Sequence, residues 1–186
     1  MKTREIAQTS LVDDCGAPVR LEETWRDRPV ALVLLRHFGC SFCREHAAEL
    51  QADVGRIREA GGDIVAIGMG TPAHAADFRR SSGIEFQLLV APDTSVHRAA
   101  GLAGGDWMKV LGPRAWPSIV RATRKGYRAK RTGADMSQLG GTFVIDTDGA
   151  VLWEHRARHS GDNSSSDDIL AALRATAASR RGDSNP

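Results

Sequence analysis

The stretch VALVLLRHFGCSFCRE, residues 30–45, decides the fold. Its first six residues are a continuous apolar run, which is typical of a strand buried on both faces. Gly39 ends the strand, and residues 43–57 then carry apolar side chains at helical spacing. The two cysteines of the stretch therefore stand between a buried strand and a helix. In an open α/β sheet, functional sites form at this carboxyl end of a strand.

The same alternation of strand and helix continues downstream. Residues 63–70 and 86–90 predict two more apolar strands, with a helix over 72–82 between them. This order is the signature of a parallel α/β sheet with right-handed crossovers. Two β-rich runs flank an Asp-Gly turn within residues 142–155, which predicts a hairpin. A last helix is predicted over residues 169–178.

The chain has 186 residues, which suits one domain of ordinary size. We expect a single domain over residues 1–178, with an inserted helical segment at about 104–140, and a flexible polar tail at 179–186. The insert should contain a helix over 116–128. Four large apolar side chains of the insert could wall a pocket over the cysteines or pack the insert onto the sheet: Trp107, Met108, Leu111 and Trp116.

Composition excludes several classes of protein. Hydrophobic residues make up 41% and charged residues 26%, so the chain is neither wholly disordered nor fibrous. The longest uncharged apolar run has six residues, whereas a transmembrane helix needs about 20. No apolar leader follows Met1, and three cysteines argue against a secreted disulfide framework. These features predict a cytoplasmic protein with no membrane partner.

Cys40 and Cys43 form a Cys-x-x-Cys pair at the predicted start of a helix. The thiolate is the reactive form of cysteine, and the partial positive charge of a helix N-terminus favours it. Arg36 and Arg44 flank the pair and could lower the thiol pKa values further. His37 could transfer a proton; strand alternation favours instead a buried, hydrogen-bonded histidine.

Two other interpretations of the cysteine pair are weaker. Half a zinc site would need two more ligands, and neither a second cysteine pair nor a histidine with ligand-like spacing accompanies it. The two cysteines could also be buried and inert. The order of strand, glycine, Cys-x-x-Cys and helix favours redox chemistry over both. We therefore predict no bound metal and no bound cofactor.

Two features outside the pair are open. Cys15 lies in a predicted turn and could be a distant resolving thiol, although a turn cysteine without a role is favoured. The basic run at 121–131 contains no acid and could hold an anion or be a solvated helix face. Only Tyr127 interrupts it as an aromatic, and no Gly-x-Gly-x-x-Gly follows a strand, so neither nucleic acid nor a dinucleotide site is predicted.

Residues 35–45 resemble the active-site segment of the peroxiredoxin-like branch of the AhpC/TSA family, in the thioredoxin-fold superfamily. Residues 138–149 and the pair His155-Arg156 resemble the same branch, which includes the prostamide/prostaglandin F synthases. The resemblance implies a thioredoxin-like three-layer α/β sandwich with a central mixed sheet. It also implies a thiol-dependent reductase of a peroxide or endoperoxide, in detoxification or in a biosynthetic pathway. An external reductant would restore the pair: thioredoxin, a low-molecular-weight thiol or NADPH.

The resemblance leaves open which cysteine attacks, although either one leads to a Cys40–Cys43 disulfide. Alignment with ordinary peroxiredoxins nominates Cys43, whereas exposure favours Cys40. Gly140 stands where ordinary peroxiredoxins carry an arginine, and Gly141 where thioredoxins carry a cis-proline. These departures count against efficient hydrogen peroxide turnover and against thioredoxin-like exchange with proteins. The alternative function is a non-catalytic redox-sensing or binding module, and nothing in the pattern specifies the homodimer that an edge strand would permit.

Overall fold

The computed structural model describes residues 3–104, 106–130 and 132–182. The strands are β1 Ser10–Asp13, β2 Pro18–Arg20, β3 Val30–Leu34, β4 Asp63–Met69, β5 Gln87–Ala91, β6 Gly141–Ile145 and β7 Val151–Arg156. The helices are α1 Thr3–Ala7, α2 Ser41–Ala52, α3 Val54–Glu59, α4 Pro72–Ser82, α5 Ser95–Ala99, α6 Trp107–Leu111, α7 Trp116–Arg124 and α8 Ser166–Gly182. Short 3-10 turns lie at Leu21–Trp25 and Pro113–Ala115.

The strands form one mixed sheet in the order β2-β1-β5-β4-β3-β6-β7. β3, β4 and β5 are parallel, whereas β6 is antiparallel to β3 and β7 is antiparallel to β6. All five residues of β3 are buried, as its continuous apolar run predicts. The predicted β6–β7 hairpin is confirmed, with a register shift between Val144 and Ile145.

Both faces of the sheet are covered, because β3 sends alternate side chains into two hydrophobic clusters. Ala31 and Val33 belong to the cluster with α2, α3, α4 and α8. Leu32 and Leu34 belong to the cluster with α1 and α5. The predicted three-layer α/β sandwich with a central mixed sheet is therefore confirmed.

The helix that follows the cysteine motif begins earlier and ends earlier than its apolar spacing predicts. It begins at Ser41, with Cys40 as the N-cap, and breaks at Asp53 into α2 and α3. Asp53 has φ −104° and ψ 4°, outside the helical region. Asp53 and Gly55 are both poor helix formers, which explains the break.

The insert and the last helix also differ from the prediction. α7 ends at Arg124 rather than at residue 128, because Gly126 takes a positive φ of 83° that terminates the helix. α8 begins at Ser166 and continues to Gly182, beyond the predicted helix at 169–178 at both ends. Residues 183–186 of the expected tail lie outside the described residues. No helix within the described ranges has the length and apolar character needed to cross a membrane.

Candidate active site

The cysteine pair lies where β3 gives way to α2. Cys40 is the N-cap of α2 with an extended backbone, and Cys43 lies in the first turn. Both side chains are buried, with 3% of Cys40 and 5% of Cys43 exposed. The expectation that Cys40 is the exposed member of the pair is therefore wrong. Exposure does not distinguish the two sulfurs. Any difference in their reactivity must come from their electrostatic surroundings.

Arg36 directs its guanidinium at the first sulfur. Its Nη1 lies 3.4 Å from Cys40 Sγ, its Nε donates to the Gln138 carbonyl oxygen at 2.9 Å, and its Nη2 donates to that of Met136. The side chain is buried. Within the described ranges no carboxylate lies within ion-pair distance of Arg36, although the charge of Arg36 contributes to the lowered pKa of Asp135. The sulfur of Cys40 is therefore the anionic group in direct contact with this cation.

The two thiols titrate in opposite directions. A hydrogen bond from the Cys43 thiol and the charge of Arg36 outweigh burial and lower the pKa of Cys40 to about 6. Burial and the neighbouring Cys40 raise the pKa of Cys43 well above its ordinary value. At neutral pH the pair is therefore a Cys40 thiolate that accepts a hydrogen bond from a Cys43 thiol, the arrangement of an attacking and a resolving cysteine.

Gly140 lies beside Arg36. A Cβ atom at Gly140 would lie 2.5 Å from the Leu34 carbonyl oxygen and at an ordinary contact distance of 3.8 Å from Arg36 Cγ. The Leu34 backbone is therefore what requires glycine at this position, and Arg36 approaches the cysteine pair past it. A guanidinium is thus present at the cysteine pair although residue 140 is not an arginine, and the sequence-based argument against peroxide binding loses its premise.

The two remaining sequence candidates behave differently. His37 is buried, and its Nδ1 lies 3.4 Å from Thr132 Oγ1. Burial and the Arg36 charge lower the pKa of His37 to about 4, so the ring is neutral at neutral pH. Arg44 binds the Phe38 carbonyl oxygen at 3.1 Å and pairs with Asp77 on α4 at 3.4 Å. Arg44 therefore joins α2 to α4, and its guanidinium engages groups other than the cysteine sulfurs.

The insert covers this site through charge pairs on α2. Glu45 is buried and its Oε1 lies 2.9 Å from both Arg121 Nε and Lys125 Nζ. Burial opposes ionisation of Glu45, but the hydrogen bonds from Arg121 and Lys125 outweigh it and lower its pKa. Lys125 also pairs with Glu49 at 2.9 Å. Arg121 and Lys125 of the basic run thus neutralise the carboxylates of Glu45 and Glu49 on α2.

A second part of the basic run crosses directly over the cysteine motif. The backbone N–H of Lys130 donates to the Gly39 carbonyl oxygen at 2.8 Å, and its Nζ pairs with Asp77 at 2.6 Å. A Cβ atom at Gly39 would lie 1.9 Å from the Lys130 carbonyl oxygen, so only glycine permits this crossing. Arg131, the last residue of the predicted run, lies outside the described residues.

The other residues that the sequence singled out either lie apart from these contacts or have side chains outside the described residues. Cys15 is exposed in a turn that Asp13 stabilises through hydrogen bonds. Trp107, Met108 and Trp116 are 53%, 71% and 65% exposed, so the alternative in which they pack the insert onto the sheet is wrong. The side chain of Leu111 lies outside the described residues. The described part of the chain holds no cluster of three potential metal ligands.

Sequence reasoning missed a small cavity next to Cys43, with polar side chains in its lining. It is lined by Cys43 and His46 from α2, by Thr142 from β6 and by His155 from β7. His46 is buried, and its Nε2 lies 3.1 Å from the Ser164 carbonyl oxygen. The available signal was the position of His46 three residues after Cys43, which places both on one face of a helix.

The family model for AhpC/TSA antioxidant enzymes matches residues 49–159, more than half of the chain. The matched region begins after the cysteine pair. The chain is 24% identical over 174 residues to bovine (Bos taurus) peroxiredoxin-like 2C, covering 89% of this chain and 76% of that protein. It is 28% identical over 163 residues to prostamide/prostaglandin F synthase of Salmo salar, covering 85% of this chain and 80% of that protein.

Solved structures show the same fold. Peroxidoxin BcpB from Mycobacterium tuberculosis superposes with a TM-score of 0.67 at 25% identity, covering 90% of this chain and 92% of that chain. Peroxiredoxin Q from Xanthomonas campestris superposes with a TM-score of 0.67 at 16% identity, covering 94% of each chain. The expected thioredoxin-like character of the sandwich is confirmed.

Proposed function

Because the chain belongs to the AhpC/TSA antioxidant enzyme family, we propose that it is a thiol-dependent reductase of peroxides or endoperoxides. Cys40 is the attacking thiolate and Cys43 the resolving thiol in this proposal. The single observation that carries it is the contact of 3.4 Å between Arg36 Nη1 and Cys40 Sγ in a buried site. This contact stabilises the thiolate at the helix N-terminus, where an anion is already favoured.

The chemical steps follow from the two protonation states. The Cys40 thiolate attacks one oxygen of a hydroperoxide, the O–O bond breaks, and the departing oxygen takes a proton to become an alcohol. Cys40 is then a sulfenic acid. Cys43 attacks its sulfur, loses its own proton, and releases water as the disulfide forms. For an endoperoxide, the first attack leaves a sulfenate ester, and Cys43 displaces the second oxygen to give a diol.

Arg36 has two functions in this scheme. Its charge lowers the pKa of Cys40, and a guanidinium has further N–H groups that can stabilise negative charge on the departing oxygen. The product disulfide must be reduced by an external two-electron donor, for which thioredoxin, a low-molecular-weight thiol and NADPH with its reductase are the candidates. Relatives named prostamide/prostaglandin F synthase support the inclusion of endoperoxides among the substrates.

The test is a count of free thiols by mass spectrometry after one equivalent of an organic hydroperoxide, with peptide mapping. We expect rapid loss of two thiols into a Cys40–Cys43 disulfide, while Cys15 stays reduced. Unmodified thiols after minutes of exposure would contradict the proposal. An assay coupled to NADPH and thioredoxin would then compare hydroperoxides with endoperoxides.

A redox-sensing or binding module is the second candidate function. The observation that favours it is the burial of both sulfurs beneath the segment that contains Lys130. A sensor would form the disulfide once but would not turn over with any reductant. Multiple turnovers per protein molecule in the coupled assay would exclude it.

A further inference from the structure

The cavity next to Cys43 has a defined size and composition. Its volume is about 20 Å³, which is room for one water molecule. Cys43 and His46 line it from α2, while Thr142 and His155 supply polar groups from β6 and β7. A buried water needs two to four such partners, and the cavity offers them.

His46 is held as a base of fixed tautomer. Its Nε2 lies 3.1 Å from the Ser164 carbonyl oxygen, which can only accept a hydrogen bond. Nε2 therefore carries the proton, and Nδ1 keeps a free lone pair. Burial lowers the pKa of His46 to about 4, which leaves the ring neutral at neutral pH. If Nδ1 gains a proton, the Ser164 carbonyl still accepts from Nε2 and stabilises the cation.

The surroundings of His46 include charges from several elements. Glu45 on the same helix raises the pKa of His46, and His155 of β7 lowers it. The Asp162 carboxylate lies 3.5 Å from His155 Nε2. The titratable and charged groups that share the cavity with His46 are Arg36, Cys43, His155, His159 and Asp162.

Resolution of the oxidised Cys40 requires a base, because burial, the largest cause of the raised pKa of Cys43, persists after Cys40 is oxidised, and only the thiolate is nucleophilic. We propose that His46 takes the proton of the Cys43 thiol, through a water held in this cavity, when Cys43 attacks oxidised Cys40. The inference rests on the proposed function for the order of the two cysteines. In the step itself, the Cys43 S–H bond breaks, its proton passes to Nδ1 of His46, and the Cys43–Cys40 bond forms as the group on Cys40 leaves.

The experiment uses the neutral disulfide dithiodipyridine. It releases one thiopyridone as each of the two cysteines reacts, and no peroxide is needed. In a Cys15→Ser background, the Cys40 thiolate attacks the reagent and releases one thiopyridone. Cys43 then attacks the mixed disulfide on Cys40 and releases a second one. Stopped-flow absorbance follows the two releases as separate phases, so the resolving step is measured by itself.

We expect His46→Gln to leave the first phase unchanged and to slow the second by about a hundredfold at neutral pH. Gln retains an N–H that can donate to the Ser164 carbonyl. In the Cys15→Ser parent the second phase should not vary with pH well above about 4, the pKa of His46. In His46→Gln it should rise about tenfold per pH unit, because Cys43 must then ionise to solvent.

His97→Gln is the matched control. His97 is also buried, its Nε2 lies 2.8 Å from the Leu35 carbonyl oxygen, and burial lowers its pKa as it does for His46. We expect the rates of both phases of His97→Gln to equal those of the Cys15→Ser parent. Added imidazole should restore the second phase of His46→Ala, which a merely structural role would not predict.

A second phase of His46→Gln that is as fast and as independent of pH as in the Cys15→Ser parent would overturn the inference, as would release of a single thiopyridone by that parent. Failure of the proposed function gives a different result. In that case the two phases and their dependence on His46 persist with dithiodipyridine, whereas hydroperoxide leaves the thiols intact.

Discussion

The unit of β3 and α2 and the insert at residues 104–140 build one site by different physical means. β3 is buried along its whole length, and hydrophobic packing fixes the cysteines on α2 to the sheet. The insert leaves Trp107, Met108 and Trp116 largely exposed. Ala122 of α7 is buried in the cluster that contains α2. The insert is further attached to α2 through the charge pairs of Glu45 and to the cysteine motif through Lys130.

This difference separates two properties of the site. Packing determines where the sulfurs lie and how Arg36 meets Cys40. Charge pairs and one backbone crossing help to hold the insert beside the sulfurs, both of which are buried. Surface and half-exposed ion pairs contribute far less free energy than a packed core. We therefore expect the contacts of the insert to be lost before the arrangement of Arg36 and the cysteines changes. Four effects, the first measured on both cysteines, test this division.

The largest effect should come from the cysteines on the packed unit. Cys40→Ser should abolish the loss of thiols to hydroperoxide, because a serine hydroxyl does not ionise near neutral pH. Cys43→Ser should retain one oxidation, ending as a sulfenic acid at Cys40 that dimedone traps and mass spectrometry locates. If Cys43→Ser were inert and Cys40→Ser became a sulfenic acid, the assigned order of attack would be reversed.

Arg36→Met should have the next largest effect on reactivity. The pKa of Cys40 is about 6, so most of this thiol is ionised at neutral pH. Without the guanidinium the pKa of Cys40 should rise, while the hydrogen bond from the Cys43 thiol, the largest cause of the lowered value, remains. The thiolate fraction at neutral pH should therefore fall, by less than the roughly thirtyfold that a return to the free value of about 8.5 would give. The pH dependence of Cys40 alkylation measures this directly, because the rate rises with pH through the pKa and levels off above it.

Arg44→Met is the control for this measurement. Arg44 is as buried as Arg36 and lies next to Cys43 in the chain, yet it binds the Phe38 carbonyl oxygen and Asp77. We expect the alkylation profile of Arg44→Met to keep its midpoint at about 6. A shift equal to that of Arg36→Met would mean that general positive charge, not the specific contact, ionises Cys40.

Gly39→Ala should detach the insert without touching the sulfurs. Its Cβ would lie 1.9 Å from the Lys130 carbonyl oxygen, so the crossing must shift at a cost of about 1–3 kcal/mol in stability. We expect a lower denaturation midpoint and faster proteolysis near Gly126. Gly55→Ala, in α3 with nothing within 4 Å of the added carbon, should instead stabilise the protein slightly. Equal effects of the two alanines would show that the crossing does not anchor the insert.

Local pattern was sufficient to predict the strands and helices of the packed unit, and it failed at the break of α2 at Asp53 and at the ends of α7 and α8. Continuous apolar runs and helical spacing located β3, β4, β5 and the β6–β7 hairpin, since burial on one or both faces leaves a period in the sequence. The position of the cysteine pair followed from the same pattern. The last helix was predicted to end at residue 178, whereas α8 continues to Gly182.

The contacts that complete the site leave no such period. Arg36 and Gln138 are 102 residues apart in the chain, and Glu45 and Arg121 are 76 apart. Sequence reasoning treated Gly140 as a missing arginine, although Arg36 supplies a guanidinium at the cysteine pair. The basic run was predicted to hold an anion or to be solvated. Its partners, Glu45, Glu49 and Asp77, are carboxylates on the helices α2 and α4 beside it.

Glu45→Gln should have the smallest of the four effects and is the finest test of the division. Glu45 is buried, but Arg121 and Lys125 are about half exposed and can return to water, so we expect a loss of only about 1 kcal/mol. The lowered pKa of Glu45 means that its contribution is fully present above its ordinary pKa of 4.5 and is lost as the pH falls below it. Urea titrations at neutral and acidic pH should therefore separate the two proteins at neutral pH and bring them together in acid. Glu49→Gln, which removes only an exposed partner of Lys125, should change stability less. A difference between Glu45→Gln and the unmodified protein that persists or grows in acid would show that packing at residue 45, rather than charge, holds the insert to α2.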